Sequence, residues 1–242
     1  MDIVLIGGTI EALLVAEHYS KNHSVSIIEI EAEVGLPSVH PGRVIDIDLF
    51  KSYFSEEQLG FLSMHANSDG WGCRWDWVLK HLAANVARQG VQFFTRTRVL
   101  SAREQEENII LELNSSERAT PIELVTDRVV LFSDPTKRGP GGKNHHFHPF
   151  QPETFHHLPT VSWFGGTVLS SDIHASTSAE LVIQRADGMT ELWWKNSPSW
   201  EPPRGFIEQC TTFLPSDIHH LSFDSVVSRV RDFLERPFKI GH

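Results

Sequence analysis

Four β-prone apolar residues, Ile3-Val4-Leu5-Ile6, run straight into two consecutive glycines, Gly7 and Gly8. A short apolar run stopped by Gly-Gly is how a buried parallel strand enters a tight turn. Residues 10–21 then set Leu13, Leu14 and Ala16 beside Glu17, Ser20 and Lys21, an amphipathic helix that Asn22 and His23 interrupt. A second apolar run, Ser-Val-Ser-Ile-Ile-Glu, occupies residues 24–29. Strand, helix and strand in thirty residues predict a βαβ unit and hence an α/β fold with a parallel sheet.

The turn itself reads Gly7-Gly8-Thr9-Ile10-Glu11-Ala12, and Glu29 closes the second strand. A Gly-x-Gly-x-x-Gly turn between strand and helix, with an acid about 20 residues on, is the pattern that receives a dinucleotide. Glycine permits the turn, bare backbone approaches the diphosphate, and the helix end supplies amides and positive dipole. Gly7, Gly8, Thr9 and Ile10 are therefore candidate contacts to phosphate, and Glu29 the candidate acceptor for a ribose hydroxyl. Two of the three glycines are replaced. Ala12 is small enough for close helix packing, whereas Thr9 sets a branched side chain where bare backbone is expected and offers a hydroxyl in exchange.

Downstream, the residues 31–45 carry Gly35, Pro37, Pro41 and Gly42 and read as a loop. Residues 48–62 have helical character, and 75–89 (WDWVLKHLAANVARQ) form the clearest later helix, ended by Gly90. Extended runs follow at 91–95, 98–102, 109–113 and 128–132. Residues 133–159 are dense in Pro, Gly and His and read as a loop or lobe boundary. Beyond it, strands are expected at 161–169, 180–184 and 190–194, with a turn at Ala186-Asp187-Gly188, and helices near 204–213 and 223–234. The expected organisation is a Rossmann-like dinucleotide-binding domain over residues 1–135 with a small β-meander, a linker over 136–159, and a β-rich α+β lobe over 160–242.

With a formal charge of -10 and a sequence pI of about 5.7, the chain lacks the concentrated Lys and Arg that nucleic acid or anionic lipid requires. Cys73 and Cys210 stand far apart and form no CxxC pair, so neither a disulfide framework nor a thiolate zinc site is expected, and a reducing cytoplasm is the default. The apolar start is too short for a membrane span and has no basic flank, so it is expected to be structural. His145, His146, His148, His156 and His157 crowd one stretch, but without a Cys, Asp or Glu partner among several prolines no metal site is expected there. Trp71, Trp75 and Trp77, and again Trp193, Trp194 and Trp200, are two groups of aromatics that could pack a core or sandwich a planar ligand. No nucleophile elbow, no phosphate loop with Lys-Ser/Thr and no HExxH is present, which leaves hydrolase and NTPase chemistry without support.

The line DIVLIGGTIEALLVAEHYSKNHSVSIIEIEAEVG, with Val34-Gly35 after the acid, resembles the amino-terminal segment of the glutathione-reductase-like FAD-binding flavoproteins, in particular the group of aromatic-ring monooxygenases and geranylgeranyl reductases. The loop VGLPSVHPGRV is similar to the stretch that in such reductases passes over the flavin. Helix 75–89, GVQFFTRTRVLSA and TDRVVLFSDP are similar to the helix, meander and strand that return to the nucleotide site. The resemblance covers about the first 135 residues. It implies FAD as cofactor, with NAD(P) as the alternative nucleotide, and adds His40 and Arg43 as polar residues near the flavin and Asp134 at the last strand. It also implies a degenerate, shortened member. Trp75 stands where these monooxygenases commonly carry an arginine, with Arg74 beside it, and no counterpart of the late Gly-Asp motif is evident before His242. The implied activity is that of an FAD-dependent oxidoreductase or monooxygenase-like protein acting on an aromatic or otherwise apolar small molecule. A non-catalytic, flavoprotein-derived binding or assembly partner is the competing expectation. The sequence names no catalytic residue.

Overall fold

The computed structural model describes residues 1–35, 39–132, 144–174 and 178–236. The chain divides into two compact units that alternate along the sequence: Met1–Pro37, Leu79–His156 and Val230–His242 make one, and Ser38–Val78 with His157–Arg229 make the other. The division by compactness falls at 156/157, close to the expected lobe start at 160, and sets residues 38–78 with the second half of the chain. The second lobe's sheet and the three short strands near residues 43–72 belong to one body, a long-range association that no local composition shift announces.

In the first unit, strands β1 (Asp2–Ile6), β2 (Ser24–Ile28), β6 (Gln92–Phe94), β10 (Arg128–Leu131) and β11 (Glu153–Thr154) form a wholly parallel sheet in the order β11-β10-β1-β2-β6. Helix α1 (Ile10–Tyr19) returns the chain from β1 to β2 and lies against both. Its residues 10–16 are all buried, which explains why that stretch is apolar nearly all round. On one face of the sheet Val4, Ile6, Ile28, Val129 and Leu131 pack with Val99, Ala102, Leu111 and Leu113 of the antiparallel meander β7 (Thr97–Gln105), β8 (Asn108–Ser115) and β9 (Glu123–Thr126). Each such fully buried aliphatic side chain contributes about 1.5–3 kcal/mol of transfer free energy.

Residues 133–143, which include Asp134, lie outside the described residues. The rest of the expected loop is more ordered than its composition suggests. His146 donates its amide to the Val99 carbonyl at 3.0 Å, the Val99 amide donates to His145 Nδ1 at 3.1 Å, and Phe147 and Phe150 pack on the meander core. The stretch then supplies β11, where Arg128 binds Glu153 at 2.6 Å and Tyr19 Oη at 2.9 Å.

In the second unit a four-stranded antiparallel sheet has the order β13 (Leu181–Gln184), β14 (Met189–Lys195), β12 (Thr160–Leu169), β15 (Glu208–Pro215). Beside it β3 (Arg43–Val44), β5 (Gly70–Gly72) and β4 (His65–Asn67) form a smaller sheet. The helix expected near 204–213 is strand β15. Pro202, Pro203 and Gly205 at φ 76° oppose a helix start, and Cys210 to Phe213 carry the β-branched and aromatic character that pairs along β12. Residues 48–62 form two helices, α2 (Ile47–Lys51) and α3 (Glu56–Leu62), because Ser55 and Gln58 cap each other in a capping box that starts a new helix. Helices α4 (Trp75–Arg88) and α5 (Phe223–Leu234) stand where the sequence places them.

Successive side chains of a strand point to opposite faces. Trp193 accordingly joins Trp163, Leu181, Ile183 and Leu214, whereas Trp194 joins Val168, Leu192, Phe206 and Trp200 on the other side. Two adjacent glycines of β12 make this layering fit. A Cβ on Gly165 would lie 2.6 Å from the Trp193 ring, and one on Gly166 would lie 2.4 Å from the Phe206 ring. Among the described residues no helix is long and apolar enough to cross a membrane.

Candidate functional site

The amino-terminal turn is built from both directions along the chain. Gly7, at φ 99°, occupies a conformation that side-chain-bearing residues rarely adopt, and donates its amide to the Ile28 carbonyl at 2.8 Å. Gly8 donates its amide to Glu29 Oε2 at 2.6 Å. Thr9, extended at φ -71° and ψ 166°, is the N-cap of α1, and its Oγ1 accepts the Ala12 amide at 3.3 Å. Ile10 is the first residue of the helix and is buried.

Glu29 is held where the fingerprint asks for it. Its amide donates to the Phe94 carbonyl at 2.9 Å and its carbonyl accepts the Thr97 amide at 3.0 Å, which fixes the backbone between β2 and the start of the meander. Its second carboxylate oxygen accepts the Glu31 amide at 3.0 Å. Val34 and Gly35 close over the turn: a Cβ on Gly8 would lie 2.7 Å from Val34 Cγ1, and Gly35 keeps φ 74° close to the Gly8 carbonyl. Thus Gly7, Gly8, Thr9, Ile10 and Glu29 come together in one unit.

Arg43 belongs to the other unit. It is buried there, donating from Nη2 to Asp69 at 2.7 Å and from Nη1 to the Ile218 carbonyl at 2.9 Å, while its buried Nε has no hydrogen-bond acceptor among the described residues. His40 stacks on Trp75 with ring centroids 4.3 Å apart. Arg74, beside the helix start, is engaged with Asp76 through two hydrogen bonds. Trp77 stacks on Phe61 with ring centroids 6.4 Å apart.

Two features, Glu11 and Glu191, lay outside the sequence reading. Glu11, in the first turn of α1, is only 9% exposed and is the sole charged residue between positions 10 and 16. A charge inside an otherwise apolar run was the available signal. In the second unit Glu191 is buried and accepts the Gly42 amide at 3.1 Å, Arg185 Nη1 at 3.3 Å and the Trp193 indole N–H at 3.3 Å. Burial raises its carboxyl above the ordinary range, against the pull of those three donors. Arg185 is also paired with Asp187. Burial, with Glu191 second, pushes the Cys73 thiol up, so this cysteine is no thiolate nucleophile. Finally, burial lowers His145 to about 4, with His146 and Arg98 adding to the effect. Among the described residues no group of three or more His, Cys, Asp or Glu could hold a metal ion.

For a bound dinucleotide the ribose end fits: a parallel βαβ turn, a positive-φ glycine and a carboxylate fixed at the tip of β2 are all present. The diphosphate end does not fit as well. The Thr9 hydroxyl already takes the Ala12 amide, and Glu11 brings negative charge into the helix end.

No protein-family model matches the chain, and no curated protein matches it. Solved structures do. The chain is similar to a geranylgeranyl bacteriochlorophyll reductase-like protein of Thermoplasma acidophilum, with a TM-score of 0.62 and 13% identity, over 89% of this chain and 66% of that one. It is also similar to p-nitrophenol 4-monooxygenase of Pseudomonas putida DLL-E4, at TM-score 0.57 and 11% identity over 88% and 67% of the two chains. A third is aklavinone-11 hydroxylase, solved with FAD and aklavinone, at TM-score 0.55 and 11% identity over 88% and 53%. The chain thus spans between about half and two thirds of the length of these proteins. Likeness at such low identity shows the fold alone: a mixed α/β architecture with a parallel core and added antiparallel sheets.

Proposed function

We propose that this chain is a flavoprotein of the oxidoreductase or monooxygenase-like type, in which the turn at Gly7, Gly8, Thr9 and Ile10 receives the ADP portion of FAD and Glu29 accepts a ribose hydroxyl. The observation that carries the reading is the Gly8–Glu29 hydrogen bond at 2.6 Å, which sets the carboxylate beside the turn at the carboxyl ends of two parallel strands. The flavin supplies the redox chemistry in such proteins, while the chain binds and orients it. The substrate of this reading is a small apolar or aromatic molecule. Arg43 is not part of it as an open cation, since Asp69 and the Ile218 carbonyl already take its terminal nitrogens.

A second reading, a binding or assembly partner that has lost normal FAD binding, draws support from the Thr9 cap and the Glu11 carboxylate at the diphosphate end. The two are separated by mixing purified protein with FAD, removing free ligand and recording the visible spectrum. Retained flavin absorption supports the first. A colourless protein whose melting midpoint ignores FAD, NADH and NADPH supports the second, because a ligand of the native state raises apparent stability.

A further inference from the structure

We infer that strand β15 is a docking edge for a second copy of this chain, which adds its own β15 antiparallel about a two-fold axis at Thr211. The two edges of the four-stranded sheet differ. At β13 the edge is closed: Asn67 donates from Nδ2 to the Gln184 carbonyl at 3.1 Å, and its Oδ1 accepts the Gln184 amide at 2.8 Å. The opposite edge is β15.

Hydrogen bonds at the two ends of β12 fix which groups of β15 point outward. The Asn196 amide donates to the Ser162 carbonyl at 3.1 Å and the Ser170 amide to the Gly188 carbonyl at 2.9 Å, so even-numbered residues of β12 bond towards β14 and odd-numbered ones towards β15. The register pairs those odd residues with Cys210, Thr212 and Leu214. Gln209, Thr211 and Phe213 therefore turn amide and carbonyl away from the sheet, and all three residues are exposed, Phe213 at 70%. Among the described residues nothing takes up their amides. Edges are commonly blunted by charge or proline, but here Glu208 and Pro215 stand only at the ends of the strand.

The strand is complementary to itself. With Thr211 facing Thr211 of the copy, Gln209 of each chain faces Phe213 of the other, and every outward amide of the three meets a carbonyl. Opposed threonines pair favourably across antiparallel strands. Charge agrees with this register. A chain of formal charge -10 repels its copy in general, yet residues 209–215 carry no charge, and the two Glu208 carboxylates fall about 20 Å apart, beyond the screening length of about 8 Å.

The test is light scattering on the full chain, whose monomer is 27.4 kDa; at about 200 μM, a concentration suited to a small interface, the parent is expected at twice that mass. Thr211→Pro removes an outward amide without touching the β12 ladder, and Thr211→Lys sets like charges face to face, so both variants are expected to be folded and monomeric. Register is read by crosslinking in a Cys210→Ser background with diamide as oxidant. Opposed residues lie about 5.5 Å apart, within disulfide reach, so Thr211→Cys is expected to crosslink, whereas Gln209→Cys, about 13 Å from its copy, is not. A monomeric parent at that concentration overturns the inference and leaves the edge to a partner of another kind. A dimer that survives both Thr211 variants, or that crosslinks equally through Gln209→Cys and Thr211→Cys, also overturns it.

Discussion

Glu29 and Glu191 perform the same chemistry in the two units, and the contrast between them separates a place built for exchange from one built for permanence. Each accepts a glycine amide from a loop distant in sequence, Gly8 for Glu29 and Gly42 for Glu191. Glu29 is half-buried and accepts the backbone amides of Gly8 and Glu31, so a ribose hydroxyl can share its lone pairs at little cost. Glu191 is buried with an arginine and an indole N–H, and losing any partner there strands a charge in a dry interior. The first carboxylate suits a ligand; the second fixes architecture.

That contrast fails if the two residues respond alike to truncation. Glu191→Ala leaves Arg185 buried beside one remaining carboxylate and is expected to destabilise by about 3–5 kcal/mol in urea unfolding, against about 1 kcal/mol for Glu29→Ala. The paired glycines sharpen the same point. Gly42→Ala directs its Cβ to within 1.8 Å of the Cys73 carbonyl, backbone against backbone, and is expected to cost about 3 kcal/mol or more, whereas the added Cβ of Gly8→Ala meets the Val34 and Glu29 side chains first, with the Gly35 backbone nitrogen no nearer than 3.1 Å, and costs about 1 kcal/mol. Similar losses at the two glycines remove the distinction.

His145 is a third side-chain acceptor for a backbone amide, that of Val99. With its folded value lowered from 6.5 to about 4, its contribution is fully present above pH 6.5 and is lost as pH falls towards 4, by at most about 3 kcal/mol. His145→Gln keeps an acceptor for Val99 without a titrating ring, so the stability of that variant between pH 4 and 6.5 is expected to slope less than the parent's. An unchanged slope assigns the effect elsewhere. The smallest expected change in stability is at Thr9→Gly, a few tenths of a kcal/mol, since glycine is a tolerated N-cap. FAD affinity is expected to rise in that variant, and a loss or no change would count against the placement of the diphosphate.

Much of the first unit was legible because its signals are local. Ile3-Val4-Leu5-Ile6 before Gly7-Gly8, and Glu29 after a second apolar run, specify strand, turn and acid within thirty residues, and the fold follows. The second unit was read less well where pairing rather than composition decides. Residues 204–213 read as a helix in sequence, but β12 offers β15 an antiparallel partner along its length. Glu191 looked like one more charge on a strand, since nothing near it in sequence reveals that Gly42, 149 residues earlier, would donate to it. Trp193 and Trp194 looked like a pair because adjacency in sequence conceals the alternation of a strand.

The central position of β1 has a consequence for synthesis. One flank is covered as soon as residues 24–28 emerge, but the other awaits β10, whose partner for Ile3 is Arg128. At ribosomal speeds of about 5–20 residues per second, that hydrogen-bonding edge stays open for roughly ten seconds while further apolar segments appear. Such a chain invites a holding chaperone during translation. Stalled ribosomes carrying residues 1–120 should expose the amino-terminal segment to protease, and those carrying the full first unit should protect it.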